Sequence, residues 1–237
     1  MKKILPSAAA IACAFATHAD AAAPPCTCKD LPVLVNEINE QEFLQKLFSQ
    51  WAAYMPRQIQ TTGQLKDAAT KQFNEAFYGD LGSSAAGTAN GGHAHMGTDL
   101  NSDQCPIVKY HYDNKGKAIL NKDGSQKTTP VTEETFQSKQ CATMVKFTFA
   151  HEQVHRETCL DQVSKGKQEM WQRPDFFAKD DAKAYKAGID VLRQDTADLA
   201  AKCGWDNSTK NRLPNLDEAK ELAKKASKAR PVKRKKP

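Results

Sequence analysis

The sequence predicts a mainly α-helical fold with a minor β component, in which two packed helices stand beside a small upstream β-hairpin. Three observations predict it. Residues 140–158 carry apolar side chains at helical spacing, and residues 179–199 do the same with a charged face opposite an apolar one. Between the N-terminal half and these helices, residues 108–113 alternate as a strand does. Asp113-Asn114-Lys115-Gly116 then turns the chain, and residues 117–120 are placed to return as the hairpin partner.

The first of these helices holds His151-Glu152-Gln153-Val154-His155, an HExxH motif. Met144, Phe147, His151, Val154 and His155 share one stripe, while Val145, Phe149 and Leu160 lie on another side, so the helix is expected to be buried on more than one face. Histidines four apart lie one turn above each other, and both imidazoles reach a single metal ion. Glu152 leaves the helix off that axis, placed to take a proton from a water that the metal activates. Inward-facing neutral imidazoles need partners for their ring nitrogens, and one zinc ion satisfies two of them together. The competing reading is a pair of core histidines bonded to carbonyls, with Glu152 as a surface acid.

A catalytic zinc takes three protein ligands and leaves a position open. No histidine follows His155, so the third ligand is a downstream carboxylate: Asp175, Asp180, Asp181, or less favourably Glu157 or Glu169. Helical phase separates them. On the helix over 179–199, Lys183, Lys186, Asp190, Arg193 and Gln194 form one side, and Ala184, Tyr185, Gly188, Ile189, Val191, Leu192 and Leu199 the other. At ~100° per residue Asp181 sits at the centre of the apolar face and Asp180 near its edge. A carboxylate in the middle of a buried stripe is costly unless paired or bound to metal, which selects Asp181. Asp195 strays onto the same face but ~21 Å further along the axis.

With these residues the chain resembles the gluzincin-type zinc metallopeptidases, including small secreted bacterial forms with cysteines flanking the motif. Those proteins follow HExxH with a helix bearing E-x-x-A-Y, and this chain has Asp181-Ala182-Lys183-Ala184-Tyr185. The resemblance runs from about Cys141 to Cys203, and HExxH is its specific part. It implies a zinc ion on His151, His155 and Asp181, with Glu152 as general base. Aspartate for glutamate shortens the third ligand by one methylene, so the two helices must stand slightly closer. Arg156 is a second departure, since zincins usually carry an uncharged residue there.

The N-terminus reads as a secretory signal. Met1-Lys2-Lys3 is the charged region, residues 4–16 are apolar, and Ala19-Asp20-Ala21 offers a cleavage site after Ala21. That apolar stretch is too short to span a bilayer, and no transmembrane segment is expected. Six cysteines remain after residue 21: Cys26, Cys28, Cys105, Cys141, Cys159 and Cys203. In an exported chain they are expected as three disulfides. Cys26 and Cys28 are too close to pair comfortably, and Cys141 and Cys159 would stand ~27 Å apart on one helix. If the second helix runs back along the first, Cys203 approaches the Cys141 end, and Cys141–Cys203 is the expected bridge.

The domain expectation is a signal over 1–21, a metallopeptidase-like domain over 22–213 and a basic tail over 214–237. Residues 34–55 read as a helix that Pro56 ends, residues 64–78 as another, and residues 81–103 as a long Gly/Ala/Ser/Asn-rich loop holding His93 and His95. His93, His95 and His111 are candidates for an accessory metal or transition-state contact. Tyr185, one turn beyond Asp181, is a candidate donor to a ligand or an oxyanion, with packing between the helices as its other role. A short helix over 216–229 precedes a run broken at Pro231. Residues 220–237 carry nine basic residues against one acid, whereas the whole chain is only +6.

The expected activity is therefore amide-bond hydrolysis in a protein or peptide substrate by a secreted or periplasmic zinc enzyme. Cell-wall peptide amides are a second substrate class. A non-catalytic scaffold that binds an envelope partner is the competing function. The basic tail suits an anionic envelope polymer or lipid head groups. Nothing in the chain marks a specific nucleic-acid binder: there is no phosphate-binding glycine loop and no aromatic platform.

Overall fold

Apolar stripes at helical spacing build most of the core. A computed structural model describes residues 23–59, 96–113, 117–136, 138, 140–167, 170, 173–206 and 212–228. In chain order these form α1 (Leu31–Ile59), β1 (Met96–Thr98), β2 (Ile107–Tyr110), β3 (Thr128–Pro130), α2 (Ala142–Ser164), α3 (Pro174–Lys202) and α4 (Leu216–Lys228). The mainly helical fold with a small antiparallel sheet is the one the sequence predicts.

Helix α3 is central. Its Leu192 packs with Leu34 and Ile38 of α1 and with Met144 and Phe147 of α2. Helices α2 and α3 run antiparallel: Thr143 donates to Asp195 at one end (3.1 Å), and His155 meets Asp180 towards the other (2.6 Å). Both helices run past their expected C-terminal ends, to Ser164 and Lys202, and α3 also starts earlier than expected, at Pro174, whereas α2 starts two residues later, at Ala142. Pro174 at the first position and Asp175 in the first turn favour the start of α3. Its other end is a Schellman motif, in which Gly204 (φ +92°) and Trp205 donate to the carbonyls of Ala201 and Ala200. Gly166 (φ +61°) and Lys167 close α2 in the same way. Pro56 does not end α1, which continues to Ile59. So near the terminus proline removes a single ladder bond, which the helix tolerates.

The sheet has order β1-β2-β3, all antiparallel, with Thr98 opposite Ile107 and Val108 opposite Pro130. The expected hairpin is present in altered form. Residues 117–120 do return beside 111–113, but only through the isolated bridge Tyr112–Ala118; Leu120 bridges onward to Gln126, and β3 takes the regular place beside β2. Strand β1 lies inside the stretch expected as loop, because pairing with β2 supplies what its composition does not. Ile107, Phe136, Val145 and Phe149 form the apolar cluster that seats the sheet side on α2.

Three disulfides close the fold: Cys26–Cys141, Cys28–Cys203 and Cys105–Cys159. The expected Cys141–Cys203 bridge is corrected. These two cysteines do lie at the same end of the antiparallel pair, but the N-terminal lead-in passes between them and bridges to each. Cys26 and Cys28 reach the two different helices rather than one another. Three bridges suit an oxidising compartment, and no described helix is long and apolar enough to cross a membrane.

The first part of the expected tail is α4, whose Ala219 and Leu222 are buried with Leu31, Val35, Ala200 and Trp205. The signal segment with its cleavage site, the helix expected over 64–78, His93, His95, Glu169 and the basic run from 229 onward lie outside the described residues.

Candidate metal centre

Helix α2 presents His151 and His155 one turn apart, and α3 brings Asp181 to them. His155 Nε2 lies 3.1 Å from His151 Nε2 and 3.2 Å from Asp181 Oδ1, and His151 Nε2 lies 3.8 Å from the same oxygen. Three ligands at zinc–ligand distances of 2.0–2.2 Å in a tetrahedron stand about 3.3–3.6 Å apart. The donor atoms, two imidazole nitrogens and a carboxylate oxygen, are therefore placed so that they could hold one small divalent cation. Among the described residues, His151, His155 and Asp181 are the group of metal-ligating side chains close enough to share an ion.

The shorter Asp181 calls for a close approach of the two helices, and Gly188 permits it. A Cβ at Gly188 would lie 2.7 Å from Phe147 Cδ2 and 3.3 Å from the Phe147 carbonyl oxygen, so glycine lets α2 and α3 approach closely near the site. The ring of Tyr185 packs edge-on against His151, with centroids 4.6 Å apart, and stacks on Phe48 of α1 at 5.3 Å.

Asp180 is the residue whose position the helical phase misjudges. Placed near the edge of the apolar face by phase, it is as fully buried as the central Asp181, at 2 % exposed against 5 %. Helix α3 is covered on two sides, by α1 and by α2, so residues flanking its main stripe are buried as well. Asp180 accepts a 2.6 Å hydrogen bond from His155 Nδ1 and another of 2.6 Å from Thr158 Oγ1. The first bond puts the ring proton on Nδ1 and leaves the Nε2 lone pair aimed at His151 and Asp181, which is how a carboxylate orients a metal-binding histidine. Burial pulls the His155 pKa down, but the bonds to Asp180 and Asp181 outweigh it and push it up to about 10. The carboxylates thus call for a cation at Nε2, met by a proton or by a metal in its place.

Glu152 is buried, and burial raises its pKa; His155 and Thr98 oppose the rise and Asp181 adds to it. Burial thus disfavours the charged form of this carboxyl group. Thr98 of β1 donates to it, a partner that sequence reading missed because Thr98 lies in a stretch with no periodic pattern. The Tyr185 phenol is held protonated by burial first, then by Asp181, Glu152 and Glu37. Tyr110 of β2 is also raised, by burial and then by Glu152. Both phenols are therefore hydrogen-bond donors under the influence of the same carboxylate.

The remaining candidates stand apart. Asp175 pairs with Arg173, Glu157 accepts from Gln153, and Asp195 pairs with Thr143 and Lys146 at the far end of α2. His111 bonds Thr129 on the exposed side of the sheet. Arg156 lines a cavity of 1210 Å³ against the opposite face of α2, together with Phe149 and Gln153, rather than the metal-ligating face. Comparison of the chain with protein-family models, with curated proteins and with solved structures gave no match, so geometry and chemistry alone carry the functional reading.

Proposed function

We propose that this protein is a secreted zinc-dependent hydrolase of amide bonds in protein or peptide substrates. The observation that carries the reading is the convergence of His151 Nε2, His155 Nε2 and Asp181 Oδ1 within 3.1–3.8 Å of one another, with the buried Glu152 next to His151 in the helix. His151, His155 and Asp181 would hold the ion. When bound, zinc supplies Lewis acidity, making water acidic near neutral pH and polarising a carbonyl.

The chain's own residues do the rest. Asp180 fixes the tautomer of His155. Glu152 takes a proton from the attacking water and returns it to the leaving nitrogen, the general-base and general-acid roles that a raised pKa suits. The Tyr185 hydroxyl, kept protonated, donates to the oxygen on which negative charge develops. Among the described residues strand β1 is an edge of the sheet beside α2, and it offers main-chain groups to an extended peptide. The basic run beyond α4 holds the protein near an anionic envelope polymer or lipid head groups.

The test is hydrolysis of a mixed peptide library by the zinc-loaded mature protein and by Glu152→Gln. The variant keeps its metal and loses at least two orders of magnitude in rate, since the ligands remain and the base is gone. Equal rates would remove Glu152 from the chemistry.

A further inference from the structure

Thr98 ends β1 with a buried side chain turned to α2, beside Glu152. Its Oγ1 lies 3.0 Å from the Glu152 main-chain carbonyl oxygen and 3.0 Å from Glu152 Oε2. One hydroxyl proton serves both acceptors, a shared bond that ties the strand to the helix and to the carboxylate together. The main-chain half of this contact fixes the height of α2 against β1. The side-chain half restrains a glutamate that would otherwise sample several rotamers.

The strand that carries Thr98 is itself held in place. The Tyr110 ring lies over Gly97, where a Cβ would come within 2.8 Å of Cε2, so β1 and β2 meet closely at the residue before Thr98. Just beyond it, Asp99 N–H donates to the Pro106 carbonyl (2.9 Å). The Cys105–Cys159 disulfide then fastens the β1–β2 connection to α2, one turn past His155. Thr98 is the point at which this frame reaches Glu152.

We propose that Thr98 is a positioning residue for Glu152: its hydroxyl holds the carboxylate in the orientation from which it acts as base, so strand β1 sets the aim of the proton transfer. This rests on the hydrolase reading above. It goes beyond it in making strand β1 part of the catalytic apparatus rather than only a docking edge for a peptide.

Two variants of the zinc-loaded mature protein test it, Thr98→Val, which removes the hydroxyl at nearly constant volume, and Thr98→Ser, which keeps it. Steady-state kinetics on one peptide taken from the library should show kcat lowered about 10–100-fold in Thr98→Val, with KM and zinc content unchanged, the scale at which misplacing a catalytic group acts. Thr98→Ser should stay within about threefold of wild type, because the donor is restored. A Thr98→Val kcat equal to wild type, or a Thr98→Ser kcat as low as that of Thr98→Val, overturns the proposal. Crystal structures of both variants give a readout that needs no turnover. Glu152 should keep its bond to the introduced serine and swing away from the introduced valine, and a carboxylate unmoved in Thr98→Val overturns the positioning role. A wild-type protein that binds zinc and cleaves nothing, with Glu152 nevertheless released in Thr98→Val, would sink the hydrolase reading while leaving the contact as described.

Discussion

Replacing Asp180 by asparagine separates a positioning carboxylate from a ligand. Asp180 accepts 2.6 Å bonds from His155 Nδ1 and Thr158 Oγ1, and it is buried. Asparagine keeps an acceptor oxygen but loses the charge that makes both bonds strong and raises the basicity of the His155 ring. Its amide group also brings donors to a position where two donors already point. Partners of this kind are worth 10–100-fold in metal affinity, or about 1.4–2.8 kcal/mol at 1.4 kcal/mol per tenfold. Zinc affinity measured by competition with a chromophoric chelator should fall by that factor in Asp180→Asn, with the helical circular-dichroism signal retained. Asp181→Asn, which replaces a ligand by a poor one, should fall further. Helical phase alone would have Asp180→Asn bind zinc almost normally. A dissociation constant within twofold of wild type would refute the role drawn from the structure.

Two further outcomes follow from the same geometry. In the metal-free protein the His155 pKa is pushed up to about 10, above the ~6.5 of an unfolded chain. The stability this protonation contributes is complete below about pH 6.5 and is lost as pH rises through about 10. Thermal unfolding of the metal-free protein should therefore move to lower temperature between about pH 7 and pH 10, while the zinc-loaded protein shifts less. A metal-free midpoint that climbs over this range would contradict the proton–metal exchange at His155. Tyr185→Phe keeps the ring packed on His151 and Phe48 but removes the donor, so kcat should fall roughly 10–100-fold at constant zinc content; an unchanged kcat would leave Tyr185 a packing residue.

What could be read from the sequence divides along physical lines. The grouping of His151, His155 and Asp181 was legible because helix geometry converts spacing into direction, and an acid in an apolar stripe is a local signal. The antiparallel packing of α2 and α3 entered the sequence reading only as a condition, since spacing along one helix does not fix the direction of its neighbour. Asp180 was not legible, because whether a flanking residue is buried depends on how many neighbours cover the helix, and α1 and α2 both cover α3. Thr98 and β1 escaped notice since a three-residue strand owes its existence to pairing with β2 rather than to its own composition. The disulfides show the same limit. Sequence brought Cys141 and Cys203 to one end of the bundle, but only the path of the lead-in decides that Cys26 and Cys28 each take one of them.

The most direct measurement is anomalous diffraction at the zinc edge from crystals of the reconstituted mature protein. A single peak should lie about 2.0–2.2 Å from His151 Nε2, His155 Nε2 and an Asp181 carboxylate oxygen. No peak at these three residues, or a peak on other side chains with His151, His155 and Asp181 empty, would contradict the account.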